Sequence, residues 1–233
     1  MPSNWSKGFT KENHPSVLKI SRTMKRKKLD NFKVWRDRMR KLGKIKFEYP
    51  PLPRSGDLAE LIGVVLGDGH LSKFPRTEEL SVFSNSKNLG FIKRYSDLIA
   101  LLFEKKPAIA RHGNGCTRIR IYQRNIQVRL GVPYSPRGKL KLQVPDWILR
   151  DETFIVRYLR GLYEAEGAYC VHLPTSTYKL FFSNKNTSLL KIVFVLMRKL
   201  GFHPHMNDGR YDVQLSKKEE VLQALELLQF RKY

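Results

Sequence analysis

The sequence predicts an α+β protein built from two pseudo-symmetric αββαββα repeats behind a basic N-terminal extension. Three observations carry that prediction. First, "LIGVVLGDGHL" (Leu61 to Leu71) and "LRGLYEAEGAY" (Leu159 to Tyr169) each end an apolar, helix-like run with a small residue, an acid and a glycine, 98 residues apart. Second, "VFSNSKN" (82–88) and "FFSNKN" (181–186) follow at nearly the same spacing and lead into amphipathic patterns. Third, 44 Lys+Arg against 21 Asp+Glu give a net charge of +23, and residues 1–50 hold 15 of those cations against 4 acids. A charge so far from zero favours a polyanionic partner: nucleic acid first, an anionic membrane surface second.

The extension, residues 1–50, contains "TMKRKKLDNFKVWRDRMRKLGKIKF", in which Phe32, Trp35 and Phe47 are scattered among cations. Its apolar positions are too sparse for an independent core. It reads as an arm that lies along phosphates and folds into short helices on binding. A solvated helical extension that caps the main domain is the alternative. "YPPLPRSGD" (49–57) reads as a linker, because its prolines remove donors and oppose helix.

The first repeat is placed at 51–145 and the second at 146–233, joined through "YSPRGKLKLQVPDWI" (134–148). In each, a motif helix comes first, and "GDGHLSK" or "AYCVHL" supplies the next strand. The strand ending in "SN" follows, and then a helix: "LGFIKRYSDLIALLF" in one copy, "SLLKIVFVLMRKLG" in the other, with Phe194 and Met197 as core. "TRIRIYQR" alternates, so Arg118, Arg120, Tyr122 and Arg124 share one face opposite Ile119 and Ile121. The second copy places Arg210, Asp212, Gln214 and Ser216 against Tyr211, Val213 and Leu215. Arginine reads guanine bidentately in the major groove, which suits the first face; a half-exposed strand with solvated arginines is the bland alternative.

Two copies in one chain imply a pseudo-two-fold arrangement with the equivalent helices crossing at the axis. Gly63 and Gly67 are four apart, as are Gly161 and Ala165, so each pair lies on one helix face and permits close approach. Asp68 and Glu166 follow at once and reach the same edge of the molecule. Gly69 and Gly167 are expected to end the helices in a left-handed or turn conformation. Two acids at the unfavourable ends of two helix dipoles repel one another, and a hard divalent cation relieves both costs. Two carboxylates, a basic surface and Mg²⁺ together suggest metal-assisted phosphodiester hydrolysis.

Other signals point nowhere. His203, His205 and Asp208 in "FHPHMND" lack the ligand count of a metal site, and "GDGHL" lacks the spacing of a phosphate loop. No serine or cysteine has the context of a nucleophile. Cys116 and Cys170 are too few for a disulfide framework. No apolar stretch is long enough to span a bilayer and no apolar leader is seen, so an intracellular protein without a membrane partner is expected.

"LIGVVLGDG" and "LRGLYEAEG" resemble the two signature motifs of the LAGLIDADG homing endonucleases in their single-chain form, and the resemblance extends over about residues 57–233. It implies two antiparallel sheets forming a DNA-binding saddle. It also implies Mg²⁺-dependent cleavage of both strands of a long asymmetric duplex, leaving short 3′ overhangs, with Mn²⁺ substituting. By the same resemblance the metal lies at Asp68 and Glu166, beside Gly67 and Ala165. Polar or basic helpers are implied at Asn184 and Lys185, and at Asn85 or Lys87 in the first copy, whose "SNSKN" departs from the "SNKN" of the second. A monomer is expected, since both motifs lie in one chain. The competing functions are an RNA-binding intron maturase, with intron RNA as partner, and a non-catalytic DNA-binding regulator on the same fold.

Overall fold

The computed structural model describes residues 6–30, 32–43, 46 and 48–233; Phe47 and the side chain of Asp208 lie outside the described residues. The chain divides into two compact units at Tyr49/Pro50. The first contains α1 (Pro15–Arg26) and α2 (Lys33–Lys41), neither of which buries a residue, as expected of segments so rich in Lys and Arg.

The second unit holds both repeats. The first runs α3 (Gly56–Asp68), β1 (Gly69–Lys73), β2 (Glu78–Asn85), α4 (Leu89–Phe103), β3 (Ala108–Arg111), β4 (Cys116–Gln123) and α5 (Ile126–Leu130). After the short α6 (Asp146–Leu149), the second runs α7 (Glu152–Glu166), β5 (Gly167–His172), β6 (Thr177–Ser183), α8 (Thr187–Lys199), β7 (His205–Asn207), β8 (Asp212–Leu215) and α9 (Lys218–Leu228). Each repeat therefore has the αββαββα order, with a four-stranded antiparallel sheet: β1-β2-β4-β3 in one and β5-β6-β8-β7 in the other. Among the described residues, no helix is long and apolar enough to cross a membrane.

Period-two alternation decides which sheet face is buried. Leu71, Leu80, Val82, Ile119 and Ile121 enter the core from the first sheet, and Leu180, Phe182, Val213 and Leu215 from the second. Against them pack Phe91, Tyr95 and Ile99 of α4 and Leu189, Val193 and Met197 of α8, with Phe194 half-buried at the margin. The last asparagine of "SNSKN" and of "SNKN" caps these helices: Asn88 accepts from the Phe91 amide, and Asn186 from those of Ser188 and Leu189.

The segment 49–57 is only partly a linker. Ser55 caps α3 by accepting from the Leu58 amide, and Gly56 and Asp57 already form its first turn. The connection between repeats is likewise tied in. Arg137 is buried and donates to the carbonyls of Val65 (2.6 Å) and Gly69 (2.5 Å), while Asn186 donates to the Arg137 carbonyl at 2.9 Å.

Candidate active site at the crossing of the motif helices

The site begins with two glycines. Helix α3 buries nine residues, so its surroundings are protein on nearly every side, and its main neighbour is α7. A Cβ added at Gly63 would fall on the Tyr158 carbonyl oxygen, and one at Gly161 on the Glu60 carbonyl oxygen, well inside van der Waals distance. The helices therefore meet backbone to backbone at the pseudo-dyad. A Cβ at Gly67 would lie 2.5 Å from the Ala165 Cβ and 3.0 Å from the Glu166 Cγ. The close approach thus continues to the helix ends and carries Asp68 and Glu166 together, as the repeated register predicts.

Gly69 and Gly167 correct the expectation of a left-handed stop. Both are extended, with φ of −92° and −87°, and each helix passes straight into the first strand of its sheet. Glycine is required there for space: a Cβ would strike the Val65 backbone in one copy and the Tyr163 carbonyl in the other. Guanidinium groups complete the two helix ends. Arg137 binds the Gly69 carbonyl, and Arg231 binds that of Gly167 at 3.3 Å, a favourable place for a cation. Sequence reasoning missed both arginines, because they lie in a connection and a tail rather than in a patterned element.

Burial raises the Asp68 carboxyl to about 7, and the negative charge of Glu166 adds to the effect. Among the described residues, the Asp68 side chain makes no hydrogen bond or ion pair. Glu166 is also raised by burial, which a hydrogen bond from Asn184 Nδ2 at 3.2 Å partly offsets. Two crowded acids with one donor between them form a carboxylate pair that a cation would stabilise. No third His, Cys, Asp or Glu joins them among the described residues. Two protein carboxylates match what Mg²⁺ takes when phosphate oxygens and water fill its remaining positions.

The two copies differ at the helper positions. Asn184 and Asn85 each accept from the amide two residues ahead, at 2.8 and 2.9 Å, but only Asn184 also reaches its acid. Two causes explain this. Asp68 is a methylene shorter than Glu166, and the first copy takes longer to leave its sheet. Val82 and Phe182 both pair with the post-motif glycine, 100 residues apart, whereas the caps Asn88 and Asn186 are 98 apart. Lys87 and Lys185 are exposed, and neither side chain bonds either acid.

Of the strand residues singled out in the sequence, Arg118, Arg120 and Tyr122 share the outer face of β4, as alternation requires. Arg124 lies just past the strand and donates to the Arg76 carbonyl at 3.3 Å. In the second copy only Asp212 and Gln214 lie in β8. Arg210 belongs to a 3₁₀ turn (Asp208–Arg210), and Tyr211 at φ +53° breaks the phase between them. Ser216 follows the strand and bonds Gln214 at 2.6 Å.

No family model matches the chain. Among solved structures, mesophilic variants of the homing endonuclease I-DmoI superpose with a TM-score of 0.52 at 20% identity, over 74% of this chain and 94% of that one. The N-terminal LAGLIDADG domain of DUF199/WhiA superposes with a TM-score of 0.55 at 15% identity, over 79% of this chain and 88% of that one. This chain has the LAGLIDADG fold. Another I-DmoI structure with the LAGLIDADG fold, TM-score 0.52 and 20% identity, holds its nicked target DNA in the presence of manganese. Curated sequences also match, among them a tRNA-splicing ligase RtcB of Methanopyrus kandleri, 27% identical over 131 residues, and a glutamine–fructose-6-phosphate aminotransferase of Methanocaldococcus jannaschii, 24% identical over 137. These matches cover 50% and 58% of this chain, which spans only about an eighth of either protein (13% and 12%).

Proposed function

We propose that the chain is a site-specific endonuclease that cuts both strands of a long asymmetric DNA duplex, with Asp68 and Glu166 holding the divalent ion. The observation that carries this reading is the Asp68 carboxyl, half-buried at the end of the crossing helices with only another acid for company. A buried, unpaired carboxylate is expensive, and a hydrogen-bonded or paired one is the rule. A bound Mg²⁺, or Mn²⁺ in its place, supplies positive charge beside the scissile phosphate and lowers the pKa of the attacking water.

The chain's own residues do the rest. Asn184 orients Glu166; Arg137 and Arg231 hold the carbonyls at the helix ends, fixing where each acid begins. Lys185, Lys87 and Asn85 stand at the strand exits, able to meet phosphate or water once DNA is bound. The outer sheet faces, with Arg118, Arg120 and Tyr122 in one copy and Asp212 and Gln214 in the other, contact the duplex, and Arg124, Arg210 and Ser216 flank them. Their unequal charge suits two unlike half-sites. One chain carries both acids, so a monomer suffices. A ligase and an aminotransferase share no chemistry, and the similarity of a stretch of each to half or more of this chain supports a module carried within unrelated host proteins.

DNA binding without cleavage is the second reading, favoured because the N-terminal LAGLIDADG domain of DUF199/WhiA has the same fold. A randomised duplex library incubated with the protein and Mg²⁺, then sequenced at cut ends, decides between them. Recurrent cuts around one asymmetric motif, absent with Asp68→Asn, establish the nuclease. Retention of one sequence without cutting supports the regulator, and retention of neither turns attention to intron RNA.

A further inference from the structure

On the outer face of the first sheet, one acid lies beneath the arginines. Glu79 of β2 is 3% exposed although it belongs to the solvent side of the strand. Arg118 covers it. The guanidinium runs back along β2, donating from Nε to Ser81 Oγ at 2.8 Å and from Nη2 to Glu79 Oε1, and passes over the Phe83 ring 5.7 Å from its centroid. Ser81 itself donates to Glu79 Oε1 at 2.7 Å, and the Tyr122 hydroxyl bonds the same carboxylate. Burial pushes Glu79 up, but these donors and the Arg118 charge outweigh it, so the acid stays ionised.

Three consequences follow from donor counting. Glu79 is held by Arg118, Ser81 and Tyr122 and is too deeply covered to touch a base. The Nε/Nη2 edge of Arg118 is occupied, which leaves its Nη1/Nη2 fork free, and a planar fork is the group that reads guanine O6 and N7. The Arg120 guanidinium, by contrast, makes no hydrogen bond among the described residues and only rests 5.8 Å from the Tyr122 ring, so it is not fixed. An arginine meant only for phosphates gains nothing from a buried acid beneath it, since the negative charge opposes DNA. An arginine that must discriminate gains a fixed orientation.

We propose that Arg118 reads a guanine in one half-site and that Glu79, with Ser81, is the positioning residue that makes this readout specific. The proposal rests on the duplex-reading function above. It predicts an unusual pairing of effects: removing the Glu79 charge weakens base discrimination while strengthening binding to arbitrary DNA.

The test is a binding selection on a randomised duplex library in EDTA, which blocks cutting, with a base-preference matrix for each variant. The wild type should require guanine at a position where Arg118→Lys loses roughly tenfold or more of the preference. Glu79→Gln and Ser81→Ala should relax that same position, the former with tighter binding to random duplex, and Arg120→Lys should leave it unchanged. Glu79→Gln keeps an acceptor and Ser81→Ala keeps the charge, so each preserves part of the network if the other perturbs folding. A wild-type preference that Arg118→Lys leaves intact overturns the proposal alone. So does Glu79→Gln that lowers stability with an unaltered matrix, the outcome for an ordinary surface ion pair. A wild type with no sequence preference overturns the duplex-reading function together with it.

Discussion

Asp68 is where charge, partial burial and the proposed metal site meet on one side chain. Between the ordinary aspartate value and about 7, the folded chain holds a proton there that the unfolded chain has released. Stability without metal must then fall as pH rises across that window and level off above it. Asp68→Asn should remove this slope and raise the metal-free melting temperature at pH 7.5 by several degrees, while reducing cleavage by at least about a thousandfold with binding retained. Melting curves at pH 5 and 7.5 check the first part, and a parallel drop in wild type and variant would remove the case for a buried ionisable acid. Protons compete with the cation for the same oxygens, so Mg²⁺ affinity should rise with pH up to about 7. Calorimetric titration with Mg²⁺ at three pH values reads this directly. The meeting of Asp68 and Glu166 was legible in the sequence because the same pattern occurs twice in one register. Arg137 and Glu79 were not, since an arginine in a proline-containing connection and a glutamate on an alternating strand carry no signal until the fold brings their partners in.

At the scale of elements, the joint between α3 and α7 has no slack. Gly161→Ala would place a methyl group against the Glu60 carbonyl, and backbone cannot rotate away as a side chain can. A loss of about 3 kcal/mol or more is expected, at the upper end of overpacking effects. Gly138→Ala is the control, having nothing within 4 Å of the added carbon, and should shift the urea midpoint little. Glu60 anchors the same region. It is fully buried and receives Arg94 and Arg157 at 2.5 and 2.6 Å, linking α3, α4 and α7. Removing it with Glu60→Ala leaves guanidinium groups without their counter-ion and should cost about 3–5 kcal/mol in the same denaturation assay. Helix and strand order followed from periodicity, but two details did not. Gly69 and Gly167 are extended because a helix running into a strand needs room rather than a turn. Arg210 left its strand because Tyr211 is left-handed, which no alternation pattern records.

At the scale of the whole molecule, the +23 charge is shared between two units, and the first holds 15 cations against 4 acids, with two helices that bury no residue. Deleting residues 1–49 should weaken duplex binding and reduce the slope of log affinity against log salt by about 0.9 for each phosphate the segment neutralises. Filter binding across a series of salt concentrations measures it, and an unchanged slope would mean the segment touches no phosphate. The repeat architecture was legible because it occurs twice in the chain; the role of the first unit was not, because charge names a class of partner without naming a surface.

The glycine crossing has one more consequence. Two main chains in direct contact act as a ruler: the separation of the two acids is set by peptide geometry, which side-chain variation cannot stretch. In an enzyme cutting each strand at one acid, the stagger between the nicks would then be a constant of the backbone. Either repeat could be exchanged for that of another protein, and the recognised sequence would change while the overhang kept its length, provided Gly63 and Gly161 stayed.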